Sequence, residues 1–481
     1  MRKVIQAAVR NGSFREGSRE LAESAELDID AKTLERAVHR IGGERLAERD
    51  AEVEAWKKLP LPKLQHGCPE GKVPPSLAVV QFDCGRMLVR ERTVAAGESS
   101  VTTDVAQAAA EVATQTAAAL AEEERACQAA VAAEEAKEVS VTEEMKETSP
   151  PGEPSVTSAT ETVPGDKNTL SDPCHSRFWR DSKVGVLLTM QSTEQDQDPC
   201  PQIPASFVDP QRMVKLVREM GHASVPAEKA AGKSAEQSDE ASADSPRPGA
   251  PKPLVKSIVA SRAPSHTFGA ILAAAAWARG FAAAGRKAFL GDGAAMNWTL
   301  WGKFFSHYVP ILDFIHALQY VFAAAMAGRP FNEGWQVYCR WIQAVWSGHV
   351  TEVIAELRAR QAELGLPGVG LPTTDPRQVV ATTLGYLETH QSRMDYARYR
   401  QLGLPIMTAY AESAVKQVSR RVKGTEKFWG EAGAEAILQL RADYLSDTTP
   451  LDAFWARREE HATGQRRYRP RSQHLSNKCA A

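Results

Sequence analysis

The chain has 481 residues, of which 43% are hydrophobic and 25% are charged, and this composition is typical of a folded, soluble protein with more than one part. It excludes a membrane protein, because the longest run of small apolar residues, 268–285, carries Arg279 near its middle. No apolar core follows the basic residues of 1–9, so we predict no signal peptide. The seven cysteines contain no C-x-x-C pair, which argues against a zinc module and a disulfide framework and favours a reducing cytoplasm.

The net charge of −2 hides two parts of opposite charge. Residues 96–170 contain 15 Asp and Glu against 4 Lys and Arg, so the rest of the chain carries a net charge of +9. A polyanionic partner such as DNA is therefore compatible with the remaining parts of the chain.

The first 58 residues are predicted to form a helix-turn-helix module. A helix over 14–25 is followed by a break, Asp30 caps a second helix, and Gly42 is expected to end it. Basic residues recur every four positions on the side of the second helix opposite its apolar stripe, where a recognition helix meets DNA. An ordinary helical hairpin with a solvated basic face fits the pattern about as well. The basic positions are Lys32, Arg36 and Arg40.

The first sheet strands are predicted in 76–95 and 172–191. The pattern favours a hairpin turning at Cys84-Gly85, and a third strand over 183–190. Residues 96–171 are acidic and of low complexity, so they are interpreted as a surface insertion that buries little core. Residues 192–256 are rich in Pro, Ala and Ser and are interpreted as a second polar insertion, with partial order expected around 214–218.

From residue 265 onward, strands alternate with helices, which predicts an α/β core with a partly parallel sheet. The sequence pattern divides this half of the chain into a central core, a wholly helical insertion, a group of helices and a basic tail. These segments are 265–330, 331–402, 403–456 and 457–481.

Three carboxylates lie at positions typical of catalytic residues, two at strand ends and one on a helix. Asp83 and Asp292 follow strands beside glycine, where side chains face a cleft in an α/β sheet, although an acidic turn residue is the commoner explanation for each alone. Glu412 lies in an amphipathic helix, where a solvated pair with Lys416 is the simpler interpretation.

Asp313 and His316 lie three positions apart at a helix start. This spacing suits a hydrogen-bonded pair or two ligands of one metal ion. An Asp that caps the helix, beside a His whose hydrogen bonds are made within the fold, explains it equally well.

Five stretches of the sequence resemble the insertion-sequence transposases of the ISKra type, which belong with the DDE transposases. The likeness is strong over 286–456, weaker around 77–90 and 177–190, and absent from the two polar stretches. It implies an RNase H-like mixed sheet flanked by helices, with the all-α insertion preceding the helix of the catalytic Glu. The five stretches are 289–298, 308–317, 399–406, 412–429 and 435–442.

The resemblance implies a catalytic triad of Asp83, Asp292 and Glu412 that holds two Mg²⁺ or Mn²⁺ ions. Hard oxygen ligands suit these cations, and two of them about 3.5–4 Å apart activate the attacking oxygen and stabilise the leaving one. Asp313 and His316 are similar to the [C/D]-x-x-H signature of Mutator-like relatives. The family's first motif usually reads Asp-Gly-Gly, whereas this chain has Asp-Cys-Gly at 83–85.

Basic residues beside Glu412 are expected to hold DNA phosphates near the metals. They are Lys416, Arg420, Arg421 and Lys423. The tail would add non-specific attraction, or it is a disordered solubilising end. Its arginines are Arg457, Arg458, Arg466, Arg467, Arg469 and Arg471.

The sequence therefore predicts a cytoplasmic, nucleoid-associated DDE transposase that acts on terminal inverted repeats and target DNA, as a homodimer or larger assembly. One alternative is a decayed or domesticated copy that only binds DNA. Another is a structure-specific nuclease that cleaves without joining ends.

Overall fold

The computed structural model describes residues 1–90, 179–219, 248–368, 370–424 and 427–460. In these ranges a six-stranded mixed sheet runs in the order β3-β2-β1-β4-β5, and β6 pairs with the end of β1. Strand β1 is antiparallel to β2 and parallel to β4 and β6, β2 is antiparallel to β3, and β4 is parallel to β5. The strands are β1 Leu77–Arg90, β2 Trp179–Gln191, β3 Lys252–Ser261, β4 Arg286–Gly291, β5 Val309–Leu312 and β6 Phe428–Gly430.

Helices cover both faces of the sheet. In β1, Leu77 and Val79 point into one apolar core while Ala78 and Val80 point into another, as expected for a strand whose side chains alternate. The predicted α/β architecture with a mixed sheet flanked by helices is confirmed. The helices are α1 Arg2–Arg10, α2 Phe14–Ala25, α3 Ala31–Lys57, α4 Leu61–His66, α5 Pro210–Glu219, α6 Ser265–Ala278, α7 Ala295–Phe304, α8 Phe314–Met326, α9 Phe331–Trp346, α10 Val350–Leu364, α11 Pro376–His390, α12 Tyr396–Gln401, α13 Ala409–Val422, α14 Glu431–Tyr444 and α15 Pro450–Glu460.

The amino-terminal helices pack against the rest of the described chain. Helix α3 begins at the predicted Asp30 cap, whose side chain accepts from Thr33 N–H, but it continues for 27 residues through Gly42. The prediction that Gly42 ends this helix is wrong. A Cβ at Gly42 would lie 2.5 Å from the Ala436 Cβ of α14, so the glycine permits two helices to touch.

The predicted hairpin at Cys84-Gly85 is also wrong, because β1 is one strand of 14 residues. It pairs with β2 without interruption from Leu77 opposite Met190 to Leu88 opposite Trp179. Gly85 lies under α13, where a Cβ would come within 3.3 Å of Val415 and Ser419. The glycine serves close packing of the helix on the strand and not a turn.

The second polar stretch contains regular structure. Helix α5 covers the positions 214–218 where order is predicted. Strand β3 begins at Lys252, so the predicted limit of this insertion at 256 is wrong. The outer edge of β3 is covered, since Lys256 N–H donates to Asp447 Oδ2 at 2.9 Å and Ile258 N–H to Ser446 Oγ at 2.8 Å. These polar side chains replace a further strand at the sheet edge.

The predicted helical insertion is built from α9 to α12 with a short 3₁₀ turn, Gln391–Arg393. The predicted start of the basic tail is wrong, because Arg457 and Arg458 belong to α15 and pair with Glu48 and Glu44 of α3. The other tail arginines and the acidic stretch 96–171 lie outside the described residues. Within the described ranges, no helix combines the length and apolarity needed to cross a bilayer.

Candidate active site

Three predicted aspartates come together because of the sheet topology. Asp83 lies two residues after Gln81, the last β1 residue paired with β4, and Asp292 and Asp313 directly follow β4 and β5. The three strands are parallel to one another, so these positions share one edge of the sheet, where α/β proteins place their clefts.

Helix α13 adds Glu412 to this edge. The charges of Asp313, His316 and Asp83 act on the Glu412 carboxyl, and those of Asp292, His316 and Asp313 act on Asp83. The structure therefore brings all five predicted catalytic and supporting residues into one electrostatic cluster.

The four carboxyl groups of the cluster outnumber its cationic partner, His316. Burial raises the pKa of Asp83, and the charges of Asp292 and Asp313 raise it further. The hydrogen bond from Cys84 N–H and the charge of His316 lower it in part. Burial likewise raises the pKa of Glu412, with Asp313 and Asp83 adding to the effect. A bound cation would stabilise the ionised forms of these carboxyl groups, which burial and mutual repulsion disfavour.

Asp292 is oriented by its own turn. Its Oδ1 accepts from Ala294 N–H at 2.9 Å and from the Asn297 side-chain amide at 2.5 Å. Asn297 is only 2% exposed and lies in the first turn of α7. We did not identify Asn297 from the sequence, although an amide one turn after a strand-end Asp is a usable signal.

Asp313 and His316 form a hydrogen-bonded pair. His316 Nδ1 donates to Asp313 Oδ2 at 2.6 Å, and Asp313 Oδ1 accepts from Thr408 N–H at 2.9 Å. Both oxygens of the fully buried Asp313 are therefore engaged. The Asp313 oxygens are therefore less available to a ligand than those of the other three carboxylates.

The His316 pair predicts a pH-dependent stability. Burial lowers the pKa of His316, but the hydrogen bond and charge of Asp313, with Asp292 and Glu412, raise it to about 9 from 6.5. The stabilisation is complete below pH 6.5 and is lost as the pH rises through about 9. We expect the difference in unfolding free energy between wild type and His316→Gln to shrink between these pH values, by on the order of 3 kcal/mol.

Urea unfolding followed by circular dichroism from pH 6 to pH 10, with EDTA present, measures this difference. The matched control is the exposed His349→Gln, which should leave the profile unchanged. A wild-type minus His316→Gln difference that stays constant with pH would contradict the assignment.

A cleft of about 340 Å³ opens beside Asp83 and Asp292. It is lined by β1, by Asp181 of β2 and by the start of α7. Cys84 also lines it, but burial and the charge of Asp83 raise the pKa of its thiol to about 12. The thiol stays protonated, so the donors offered here are carboxylate oxygens.

The donor set fits a hard divalent cation. Within the described ranges, no hydrogen bond or ion pair engages Asp83 Oδ2, Asp292 Oδ2 or the Glu412 carboxylate. As the side chains stand, no three His, Cys, Asp or Glu in the described part of the chain are grouped to hold a metal ion. The fit therefore depends on the chemistry of the donors, which are oxygens suited to Mg²⁺ or Mn²⁺.

Three of the four basic residues predicted beside Glu412 are exposed: Lys416 and Arg420 on α13, and Lys423 at its C-cap. The Lys423 ammonium lies 5.9 Å from the centre of the Trp179 ring. These side chains are accessible to a polyanion.

Arg421 is not accessible, so its predicted role in DNA binding is wrong. It is 2% exposed, and its Nε donates to Ala8 O of α1 at 2.9 Å. Its guanidinium lies 4.4 Å from the centre of the Phe14 ring and 5.1 Å from that of Trp429. Because α13 turns by 100° per residue, adjacent arginines face opposite environments.

The predicted basic face of the amino-terminal module is exposed on α3. Lys32 pairs with Glu35 at 2.8 Å, and Arg36 and Arg40 are open to solvent. The apolar stripe on the other side packs inward, where Leu34, Val38 and Ile41 are fully buried.

The comparisons with known proteins add no further assignment. No protein-family model matches the sequence, and a search of the curated proteins found no match either.

Proposed function

We propose that this protein is a DDE transposase with an RNase H-like core, which cleaves and joins DNA at the ends of an insertion sequence. The observation that carries the proposal is the convergence of Asp83, Asp292 and Glu412 at one sheet edge, with free carboxylate oxygens and no neutralising ion pair among the described residues. The strand path β3-β2-β1-β4-β5 with helices on both faces supports the RNase H-like part.

The chain's own residues fulfil distinct tasks in this chemistry. Asp83, Asp292 and Glu412 would hold the two Mg²⁺ or Mn²⁺ ions, and Asn297 and the Asp313 pair would keep the site's carboxylates and the Glu412 helix oriented. When bound, the ions make the attacking water or 3′-hydroxyl nucleophilic and stabilise the leaving oxygen.

DNA binding belongs to the same proposal. Terminal inverted repeats would be read by the exposed face of α3, formed by Lys32, Arg36 and Arg40, while the exposed cations of α13 would hold the phosphates near the cleft. A homodimer or larger assembly would pair two ends, and the protein would associate with the nucleoid.

Removing basic side chains at α13 should weaken the binding of DNA by the same factor whatever the DNA sequence. For the double variant Lys416→Ala, Lys423→Ala we expect the slope of log affinity against log salt to fall by about one for each lost phosphate contact. Fluorescence anisotropy with DNA of two unrelated sequences measures the slope. Lys57→Ala, which removes an exposed lysine at the end of α3, is the control and should leave the slope unchanged. An unchanged slope in the double variant would remove α13 from the DNA-binding surface.

The function is tested by incubating the full chain with Mg²⁺ and DNA that carries both ends of its element. Mg²⁺-dependent cleavage at the ends, followed by joining to a target, is the expected result. Binding without cleavage in Mg²⁺ and in Mn²⁺ would favour a decayed DNA-binding protein. Cleavage without joining would favour a structure-specific nuclease.

A further inference from the structure

Backbone groups at the start of the helix that carries Glu412 are hydrogen-bonded to side chains that are distant in sequence. The N-cap residue of α13, Thr408, makes no side-chain capping bond, although the first N–H groups of a helix need acceptors. Thr408 N–H instead donates to Asp313 Oδ1 at 2.9 Å. Ala411 N–H is shared between Thr408 O at 2.8 Å and Gln81 Oε1 at 3.1 Å.

Gln81 makes a second bond to the same segment. Its Nε2 donates to Met407 O at 2.9 Å. Gln81 is fully buried in the middle of β1, between the buried Val80 and Phe82. Burying an unpartnered amide costs on the order of 1–3 kcal/mol, and here both polar atoms of the amide find partners in the start of α13.

These contacts connect two of the three carboxylates. Gln81 precedes Asp83 by two positions, so both residues lie on the same face of β1, and Ala411 directly precedes Glu412. We propose that Gln81 is a positioning residue that docks the start of α13 on β1 and so sets the spacing between Asp83 and Glu412. The docking depends only on the observed contacts, and the importance of the spacing for cation binding rests on the proposed function.

Hydrogen exchange tests the docking independently of any activity. In Gln81→Met, which keeps the length of the side chain and removes both bonds, we expect the peptide covering 407–413 to exchange at least about tenfold faster, equivalent to about 1.4 kcal/mol. Gln439→Met is the matched control, because Gln439 is also buried and bonds Asp443 and Arg49 away from the site. Unchanged exchange at 407–413 in Gln81→Met would overturn the docking.

Mn²⁺ binding without DNA, measured by electron paramagnetic resonance of the free ion, tests the spacing. We expect Gln81→Met to raise the dissociation constant about tenfold and Gln439→Met to leave it within twofold. Unchanged Mn²⁺ affinity in Gln81→Met, alongside binding that Asp292→Asn abolishes, would overturn the spacing role. If wild type and Asp292→Asn bind Mn²⁺ equally, the metal site of the proposed function fails and the spacing role fails with it, while hydrogen exchange still decides the docking.

Gln81→Glu provides a conservative second variant. It retains an acceptor for Ala411 N–H and loses the amide donor to Met407 O. If Gln81→Met does not fold, faster exchange at 407–413 in Gln81→Glu than in wild type supports the docking, and equal exchange contradicts it. Where both variants fold, exchange in Gln81→Glu should lie between those of wild type and Gln81→Met.

Discussion

If the proposed function holds, Asp292→Asn and Glu412→Gln should each lower the rate of Mg²⁺-dependent DNA cleavage by about 10³-fold or more, since each removes the charge of a proposed cation ligand, and a bound cation contributes several kcal/mol to transition-state stabilisation. Asp83→Asn should behave in the same way. The amides are nearly isosteric with the carboxylates, so the fold and the DNA affinity should persist. Cleavage rates under single-turnover conditions, with DNA affinity measured by fluorescence anisotropy on the same samples, provide the measurement.

Glu431→Gln is the control for this series, because Glu431 is an exposed carboxylate at the start of α14. Its cleavage rate should equal that of wild type. Full activity in Asp292→Asn or Glu412→Gln would contradict the assignment of these residues as cation ligands. A parallel loss of DNA affinity would instead place them in the DNA-binding surface.

Arg421→Met should lower the free energy of unfolding by about 3 kcal/mol, because it removes charged hydrogen bonds and leaves buried carbonyls without a donor. The guanidinium donates to Ala8 O at 2.9 Å and to Gly12 O at 3.5 Å, and it lies between two aromatic rings. Burial and the charge of Arg441 lower the pKa of Arg421 to about 10, so the site disfavours the charged guanidinium, and the hydrogen bonds and ring contacts must outweigh this cost for the variant to lose stability. Urea unfolding at pH 7 measures the effect.

The adjacent Arg420→Met is the matched control. Arg420 is exposed on α13, so its replacement should change the unfolding free energy by no more than about 0.5 kcal/mol. Its effect should appear as weaker DNA binding at low salt. Equal stability losses for the two variants would mean that Arg421 does not link α1 to α13.

The sequence predicted the main residues of the candidate site and the supporting pair Asp313 and His316, but not the supporting amides Gln81 and Asn297. Asp292 and Asp313 follow short apolar strands, and the local pattern places them at strand ends. Asp83 was found, although the strand that carries it was wrongly divided at Gly85. Gln81 was not identified, because a single amide in an apolar run gives no local sign of what it will contact. Asn297 was missed although its position one turn after Asp292 is a usable signal.

The sequence by itself determined the strands that end at Asp292 and Asp313 and the helix that carries Glu412, because hydrophobic period and capping residues act over a few neighbouring positions. It therefore placed Asp292, Asp313 and Glu412 on the correct elements. Only the tertiary structure decided that Gly42 and Gly85 serve close packing and that Arg421 is buried while Arg420 is exposed. It also decided that Gln81 reaches Ala411, 330 positions away in the chain. The physical reason is that the burial and partners of a polar side chain depend on elements distant in sequence, which local periodicity does not record.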